Sequence, residues 1–297
     1  MNRPVSAPAP VLVLGAVASV QSGAAVATRL FPEVGPGGAV LLRLGLSALI
    51  LLCFARPRLR GRSRVDLGWA VAYGVALGGM NATFYEALSR IPLGVAVTVE
   101  FVGPLAVAVL GSRRLLDLVW VALAGLGVAL LTTGGDGGLD GLGVLLALVA
   151  GGFWAAYILL AQRVGRVYPG ASGLTAALVV ATIVVAPFGL ITAGTRLWDA
   201  GVIARGAAVA VLSSAVPYSL ELFALRRMRA SVFGVLMSLE PAMAALSGLL
   251  FLGQHLRARE WAAVGCVMVA SIGATRRAAR DELPVEPGAT PTEVLVT

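Results

Sequence analysis

Two glutamates lie inside long apolar stretches of this sequence, and each is accompanied by a proline. Glu100 occurs in VTVEFVGPL, four residues before Pro104, and Glu240 occurs in SLEPAM, directly before Pro241. A carboxylate at the centre of a membrane costs about 2.5 to 3.5 kcal/mol, so it must be neutral, paired or next to a wet cavity. Removal from water favours the protonated form of such a group. Either glutamate could therefore carry a proton or bind the ammonium group of a substrate.

The prolines predict a break in the helix beside each glutamate. A proline has no N–H, so Pro104 leaves the carbonyl of Glu100 without its helical partner. Gly103 also favours a kink at this point. Interrupted backbone at membrane depth is tolerated only where it is buried in protein or lines a cavity. We therefore predict helix breaks at Pro104 and Pro241. The alternative is that the glutamates only hydrogen-bond to neighbouring helices and hold the bundle together.

Other polar and aromatic side chains fall within similar stretches. Pockets in helical bundles are mostly apolar with a few polar groups, and some of these side chains would line such a pocket. Glu86 and Glu221 lie near the ends of their stretches and could simply reach the membrane interface. Arg43 is expected to extend outward to the interface, with a salt bridge to an inner carboxylate as the alternative. The predicted substrate-binding or proton-coupling residues are Glu100, Glu240, Asn81, Tyr85, Trp154, Tyr157, Tyr218 and Glu221, and Gln21, Ser213 and Ser214 add hydrogen-bonding groups.

The composition assigns these stretches to a membrane. Of the 297 residues, 58% are hydrophobic and 13% are charged, whereas about a quarter of a soluble domain is charged. About 20 apolar residues cross a hydrocarbon core of roughly 30 Å. Ten such runs can be placed, the first as an uncleaved helix rather than a signal peptide, and no room remains for a soluble domain. Their predicted bounds are 11–31, 36–55, 65–88, 92–111, 115–133, 141–161, 171–193, 202–225, 231–252 and 261–275.

The basic residues predict the orientation of the chain in the membrane. All 23 are arginines, and the net charge is +8. With a cytoplasmic N-terminus, 16 of the arginines fall on the inner side and six on the outer side. This is the positive-inside pattern, so the charge does not indicate a nucleic-acid partner. We expect a multi-pass protein of the inner membrane with both termini in the cytoplasm.

The two halves of the chain resemble each other. A shift of 137 residues aligns Ala87–Gly111 with Ala224–Gly248, and seven of the aligned pairs are identical. Each half holds five predicted spans, and because five is odd, the second half enters the membrane from the opposite face. This predicts an all-α polytopic membrane protein with ten transmembrane helices in two inverted five-helix repeats, 1–138 and 139–278, and a disordered cytoplasmic tail, 279–297. Inverted repeats are common in secondary transporters.

The sequence lacks several hallmarks of enzymes. It has a single histidine, His255, and no lysine, which argues against a metal protease site and against a phosphate-binding loop that ends in lysine. We therefore expect no enzymatic activity, no cofactor and no metal, and an ion gradient or the substrate's own gradient must supply the energy. The expected partners are a small-molecule substrate and the lipid bilayer, without nucleic acid. A homodimer is left open, although a monomer should be competent.

Two segments closely resemble the drug/metabolite transporter superfamily, and more narrowly the threonine/homoserine exporter branch of its EamA-type members. They are LSRIPLGVAVTVEFVGPLAVAVLGSRR, Leu88–Arg114, and YSLELFALRRMRASVFGVLMSLEPAMAALSGLLFLGQ, Tyr218–Gln254. The resemblance implies two inverted EamA-type halves and export of amino acids or related metabolites through a central cavity, with proton coupling. It also implies that Glu100 with Pro104, and Glu240 with Pro241, are characteristic positions of the family.

One departure from this resemblance and two alternative functions are to be noted. Many relatives have Leu-Gly-Glu at the end of the ninth span, where this chain has Gln254 after Gly253. This weakens any proposal of an acidic group there. The main hypothesis is a secondary active exporter of amino acids or related small metabolites that works by alternating access. One alternative is a multidrug or lipid-linked sugar exporter of the same fold. The other is a membrane scaffold that transports nothing.

Overall fold

The structure is a computed structural model that describes residues 8–57, 61–110, 117–132, 139–168, 171–225, 227–228 and 230–281. Every regular element in this part of the chain is a helix. The α-helices are α1 (Ala9–Thr28), α2 (Phe31–Phe54), α3 (Arg64–Leu88), α4 (Leu93–Glu100), α5 (Val102–Leu110), α6 (Asp117–Thr132), α7 (Gly141–Val167), α8 (Ser172–Ala193), α9 (Ala200–Ala210), α10 (Val216–Leu225), α11 (Ala230–Met237), α12 (Glu240–Leu252) and α13 (Ala258–Asp281). A 3-10 turn, Gly194–Trp198, precedes α9, and a π-helical turn, Val211–Ala215, joins α9 to α10.

These helices form ten segments within the described residues, one for each predicted span. The pair α4 and α5 forms the fourth segment, α9 and α10 with the π-helical turn form the eighth, and α11 and α12 form the ninth. Five segments are long and apolar enough to cross a membrane on length and composition alone: Ala9–Thr28, Phe31–Phe54, Gly141–Val167, Ser172–Trp198 and Val232–Leu252. The prediction of an all-α polytopic membrane protein is confirmed.

Three helix ends differ from the prediction by more than four residues, and one of them is the end of α7, at Val167 instead of residue 161. Helix α2 begins at Phe31, before the predicted start at Pro36, and Gly35 takes up the change of direction with a φ of 67°. Only glycine adopts that backbone conformation at little cost. Helix α13 continues to Asp281, so the start of the predicted disordered tail is helical, because the run of alanine and arginine favours helix. The rest of that tail, 282–297, lies outside the described residues.

Several helices begin at side chains that accept hydrogen bonds from the first turn. Asp140 Oδ1 accepts from the backbone N–H of Leu142 at 2.8 Å at the start of α7. Asp199 Oδ1 accepts from Gly201 at 2.8 Å at the start of α9. Such caps satisfy N–H groups that have no partner within the helix. These two caps fix the residues at which α7 and α9 begin.

Most of the extensive helix pairs recur when the first five segments are exchanged with the last five, although α2–α3 and the packing of α13 on α4 and α5 have no counterpart of similar extent. Helix α3 packs on α7, and the counterpart of α3, which is α10 with the π-helical turn, packs on α1. Likewise α4 and α5 pack on α7, whereas α11 and α12 pack on α1. The pairs α2–α8, α6–α13 and α4–α12 join each segment to its own counterpart. Two repeats related by a two-fold axis would pack in this way. The repeat boundary at residue 138 stays a prediction.

Candidate functional site

Glu100 and Glu240 lie at interruptions of the fourth and ninth segments. Helix α4 ends at Glu100 and α5 begins at Val102, whereas α11 ends at Met237 and α12 begins at Glu240. Each glutamate is 6% exposed. Because α4 packs on α12, the two interruptions place carboxyl groups from different halves of the chain next to each other.

A cavity of about 260 Å³ lies between the halves at this point. Its wall combines charged and polar groups with apolar side chains such as Met80, Phe84 and Leu178. Such a mixture suits a small ligand that carries its own charges. Six of the predicted site residues line the cavity: Glu100, Glu240, Asn81, Trp154, Tyr157 and Glu221. Gln21, Arg43, Ser213 and Ser214 also line it.

Arg43 lies in the cavity wall, so the expectation that it extends to the membrane interface is wrong. Its Nη1 donates to the Tyr85 hydroxyl at 3.3 Å, and its guanidinium carbon lies 5.6 Å from the centroid of that ring. The fully buried Tyr85 thus offers the cation both an acceptor and a π-face, which keep it inside the bundle. Arg43 and Glu240 are within electrostatic range of Glu100, and Glu221 is within range of Glu240. One cation and three carboxyl groups therefore share the cavity.

The backbone of the interruption at Glu100 packs directly on α7. A Cβ added to Gly103 would lie 1.9 Å from the carbonyl oxygen of Gly151. A Cβ added to Gly151 would lie 2.6 Å from the carbonyl oxygen of Glu100. Neither position has room for a side chain, so both helices use glycine for a close backbone approach. The carbonyl that Pro104 leaves without a helical partner is therefore covered by the Gly151 backbone.

The eighth segment contributes a π-helical turn, Val211–Ala215, that sequence reasoning missed. In this turn the N–H of Val216 donates to the carbonyl of Val211, and single π-turns within α-helices are frequent at functional sites. A signal for it was present, since Pro217 removes the ordinary helical partner of the Ser213 carbonyl. The turn places the side chains of Ser213 and Ser214 in the cavity wall.

The remaining predicted residues lie elsewhere. Tyr85 lies behind Arg43, and the side chain of Tyr218 is outside the described part of the structure. Pro104 lines a second cavity of about 170 Å³, which shares Trp154 with the first. Pro241 is buried in the first turn of α12. Glu86, which the sequence left open, lies at the end of α3, where its carboxylate pairs with Arg90 at 3.2 Å.

One end of the bundle carries four polar contacts between the two halves, and we call it the bridged end. It is defined by Arg29, Glu33, Arg90, Asp140, Arg205 and Gln254. Arg29 donates to the carbonyl of Phe251, Arg90 pairs with Asp140 at 3.2 Å, Arg205 pairs with Glu33 at 2.5 Å, and Gln254 Oε1 accepts from the N–H of Leu93 at 2.9 Å. These contacts join four different pairs of segments. Gln254 thus caps the start of α4.

At the opposite end, the polar and cation–π contacts between the halves that the described residues make lie at one helix pair. The Tyr168 hydroxyl donates to the carbonyl of Asp66 at 3.2 Å, and the Arg163 guanidinium lies 5.6 Å from the centroid of the Trp69 ring. Both contacts tie the first turns of α3 to the last turns of α7. Within the described residues, the polar contacts at the bridged end therefore join more pairs of segments than those at the opposite end.

No metal-binding cluster is found in the part of the chain that the structure describes. Groups of three or more histidine, cysteine, aspartate or glutamate side chains close enough to hold an ion do not occur there.

Comparison with known proteins identifies the family. The EamA-like transporter family matches residues 141–276. The chain is 48% identical over 270 residues to the threonine/homoserine exporter RhtA of Escherichia coli (strain K12). This match covers 89% of this chain and 90% of that protein. The chain is also 46% identical over 272 residues to RhtA of Salmonella typhimurium (strain SL1344), with 90% and 91% covered. A solved crystal structure matches the fold with a TM-score of 0.60 at 18% identity, over 93% of this chain and 99% of that chain. The chain therefore belongs to the EamA-like transporter family, in the branch of the threonine/homoserine exporters.

Proposed function

We propose that this protein is a secondary active exporter of small amino acids of the threonine and homoserine type, driven by protons. The observation that carries the proposal is the presence of Arg43, Glu100 and Glu240 in one cavity between the two halves. An amino acid carries one carboxylate and one ammonium group, which are complementary to a guanidinium and a carboxylate. The RhtA relatives are named as exporters of threonine and homoserine.

The charged residues are assigned separate roles in this proposal. Arg43, held by Tyr85, binds the substrate carboxylate, because a planar guanidinium pairs well with that group. Glu100 and Glu240 bind the ammonium group when they are ionised. A proton that arrives from outside neutralises one of them and weakens its hold on the ammonium group. Proton binding and substrate release are then linked by competition for the same carboxyl groups.

Alternating access completes the proposed cycle. The bridged end is assigned to the outer side, where the arginine distribution of the sequence places it, with both termini in the cytoplasm and the chain in the inner membrane. The contacts across the halves at that end must open to release the substrate. Because the cavity is lined by residues of a single chain, a monomer would be competent.

The alternative of a multidrug or lipid-linked sugar exporter is less well supported than export of amino acids. An apolar groove of about 520 Å³ lies between α2, α8 and α9. It shares no lining residue with the central cavity, since the two use opposite faces of α2. The central cavity is also smaller than the roughly 300 to 1,000 Å³ typical of pockets for drug-sized ligands. Against a scaffold stands the presence of three carboxyl groups in the cavity wall, because such groups are costly in a membrane.

Counterflow of labelled threonine into proteoliposomes tests the substrate class. For one proton exchanged per substrate, one pH unit corresponds to about 1.4 kcal/mol, or about a tenfold accumulation. We expect the unmodified protein to respond to an imposed pH gradient on this scale. We expect Glu100→Gln to lose the response, and Glu86→Gln, which changes the same residue type at a helix end, to keep it.

The outcomes of this experiment separate two parts of the proposal. Absence of counterflow by the unmodified, correctly inserted protein with threonine and homoserine would refute the substrate class. A full response to the pH gradient in Glu100→Gln would refute the proton-carrying role of Glu100 while leaving the substrate class intact.

A further inference from the structure

The apolar groove between α2, α8 and α9 leads into a polar pocket at the bridged end. The groove has a volume of about 520 Å³, and the pocket has a volume of about 420 Å³. Six residues line the pocket: Glu33, Thr195, Arg196, Trp198, Asp199 and Val202. Trp198 also lines the groove, so the two form one continuous concave surface with an apolar part and a charged part.

The groove has the length of one membrane leaflet. Helix α8 lines it from Val179 to Leu190, a distance of about 16 Å at the helical rise of about 1.5 Å per residue. Half of a hydrocarbon core of roughly 30 Å has a similar length. Leu49 and Ile183 in its wall are 59% and 65% exposed, so the groove opens on the lateral surface. The exposed Trp198 lies at its polar end, and tryptophan is typical of the membrane–water interface. An acyl chain would therefore fit along the groove with its headgroup at the pocket.

The charges of the pocket suit a headgroup that carries one anion and one cation. Glu33 and Arg205 form a pair with two hydrogen bonds, at 2.5 and 2.6 Å, and so neutralise each other. Arg196 and Asp199 are exposed. Within the described residues, the hydrogen bonds that Asp199 accepts at the start of α9 use only its Oδ1. One guanidinium and one carboxylate of the pocket therefore match a ligand that carries a phosphate and an ammonium group.

We propose that this surface binds a phospholipid with a primary ammonium group in its headgroup, such as phosphatidylethanolamine, from the leaflet at the bridged end. An acyl chain lies in the groove, Arg196 pairs with the phosphate, and Asp199 accepts a hydrogen bond from the ammonium group. Phosphatidylglycerol has the same phosphate but no cation, so it would place its negative charge near Asp199 without compensation and bind more weakly.

The position of this lipid site relates it to the two halves of the chain. Helix α2 belongs to the first five segments, whereas α8 and α9 belong to the last five, so a lipid in the groove contacts both halves beside the pair of Glu33 and Arg205. The site shares no lining residue with the central cavity. The inference therefore does not depend on which substrate is transported.

Native mass spectrometry of the full chain in detergent, titrated with either lipid carrying the same acyl chains, tests this inference. We expect one saturable adduct and about tenfold tighter binding of phosphatidylethanolamine than of phosphatidylglycerol. Arg196→Gln should weaken the binding of both lipids about tenfold, as the loss of one charge-assisted hydrogen bond predicts. Asp199→Asn should weaken only the binding of phosphatidylethanolamine and so abolish the preference. Asparagine keeps the oxygen that caps α9, so the fold should be retained.

Matched variants test the groove and exclude indirect effects. Ala186→Phe adds a ring inside the groove and should weaken the binding of phosphatidylethanolamine. Ala122→Phe adds the same ring at an exposed position of α6, and Arg257→Gln removes an exposed arginine close to Gln254 but outside the pocket; neither should change lipid binding.

Three results would overturn the inference. The first is equal binding of the two lipids by the unmodified protein. The second is unchanged binding of phosphatidylethanolamine in both Arg196→Gln and Asp199→Asn. The third is a dimer that Ala186→Phe converts to a monomer with no effect on lipid binding, which would assign the groove to a second copy of the chain.

Discussion

The contact between Gly151 and the carbonyl of Glu100 predicts a large difference between two neighbouring substitutions on α7. In Gly151→Ala the new Cβ would lie 2.6 Å from that carbonyl oxygen, whereas ordinary contacts begin at 3.4 Å. The backbones of α4 and α7 would therefore have to separate by about 0.8 Å, the difference between those distances. Gly152→Ala adds the same methyl group to the same helix, but the Cβ meets no atom within 4 Å.

The size of the effect is obtained by comparing the stability of Gly151→Ala with that of Gly152→Ala. Each one gains the higher helix propensity of alanine, about 0.8 to 1.0 kcal/mol in water, and this gain cancels in the comparison. What remains is the cost of overpacking, about 1 to 3 kcal/mol. We expect Gly151→Ala to be the less stable of the two by this amount. It should also transport more slowly, because the displaced backbone carries Glu100.

Thermal denaturation in detergent, followed by size-exclusion chromatography, measures the difference. At about 2 to 4 °C per kcal/mol, the midpoint of Gly151→Ala should lie several degrees below that of Gly152→Ala. Equal midpoints together with equal rates of threonine counterflow would refute the close approach of the two backbones. A drop in both variants would point to an effect of alanine on α7 that is unrelated to Glu100.

Two further predictions concern the bridged end. Gln254→Leu removes the oxygen that accepts from the N–H of Leu93, and the loss of this helix cap should lower the free energy of unfolding by about 0.5 to 2 kcal/mol, measured by thermal denaturation. The backbone N–H of Leu142 and the guanidinium of Arg90 hold the pKa of Asp140 below its ordinary value. The stability that this carboxylate provides is therefore present above about pH 4 and lost as the pH falls through the lowered pKa, so Asp140→Asn should differ from the unmodified protein at pH 7 and converge with it in acid.

The first of these predictions is controlled by a second substitution at Gln254, and the second by measurements at several pH values. Gln254→Glu keeps an acceptor oxygen for Leu93 and should retain the midpoint that Gln254→Leu loses; equal losses in the two variants would show that the cap is not the cause. For Asp140, the comparison needs denaturation midpoints at several pH values. A difference between Asp140→Asn and the unmodified protein that is constant from neutral to acid pH would contradict the electrostatic explanation.

The membrane architecture and the central residues of the cavity followed from local patterns in the sequence. Apolar runs of spanning length identified the ten segments, because a bilayer requires such lengths. The cost of a buried carboxylate singled out Glu100 and Glu240, and the adjacent prolines marked the interrupted helices. The repeat then predicted that the two carboxyl groups come from corresponding helices. None of these steps required knowledge of the packing.

Other features depended on contacts between distant parts of the chain. The position of Arg43 depends on Tyr85, which lies on a different helix, so the distance of Arg43 from the end of its span could not predict where its side chain goes. The importance of Gly151 depends on its neighbour Glu100, since a sequence rich in glycine offers many similar positions. The π-helical turn at Ser213 was marked by Pro217, but local sequence does not show which of several rearrangements a proline induces.

The exchange symmetry of the helix pairs has a consequence for the energies of the transport cycle. Because most of the helix pairs recur when the halves are exchanged, the opposite conformation in the proposed cycle would bury largely similar helix surfaces. The free energies of the two conformations would then differ chiefly through polar contacts at the ends of the bundle, each worth about 0.5 to 1.5 kcal/mol. A substrate or proton that binds one conformation better by a few kcal/mol is enough to reverse their populations. In the proposed cycle, the duplicated sequence thus keeps the two conformations close in free energy. Binding of a single amino acid can then shift the equilibrium between them in either direction.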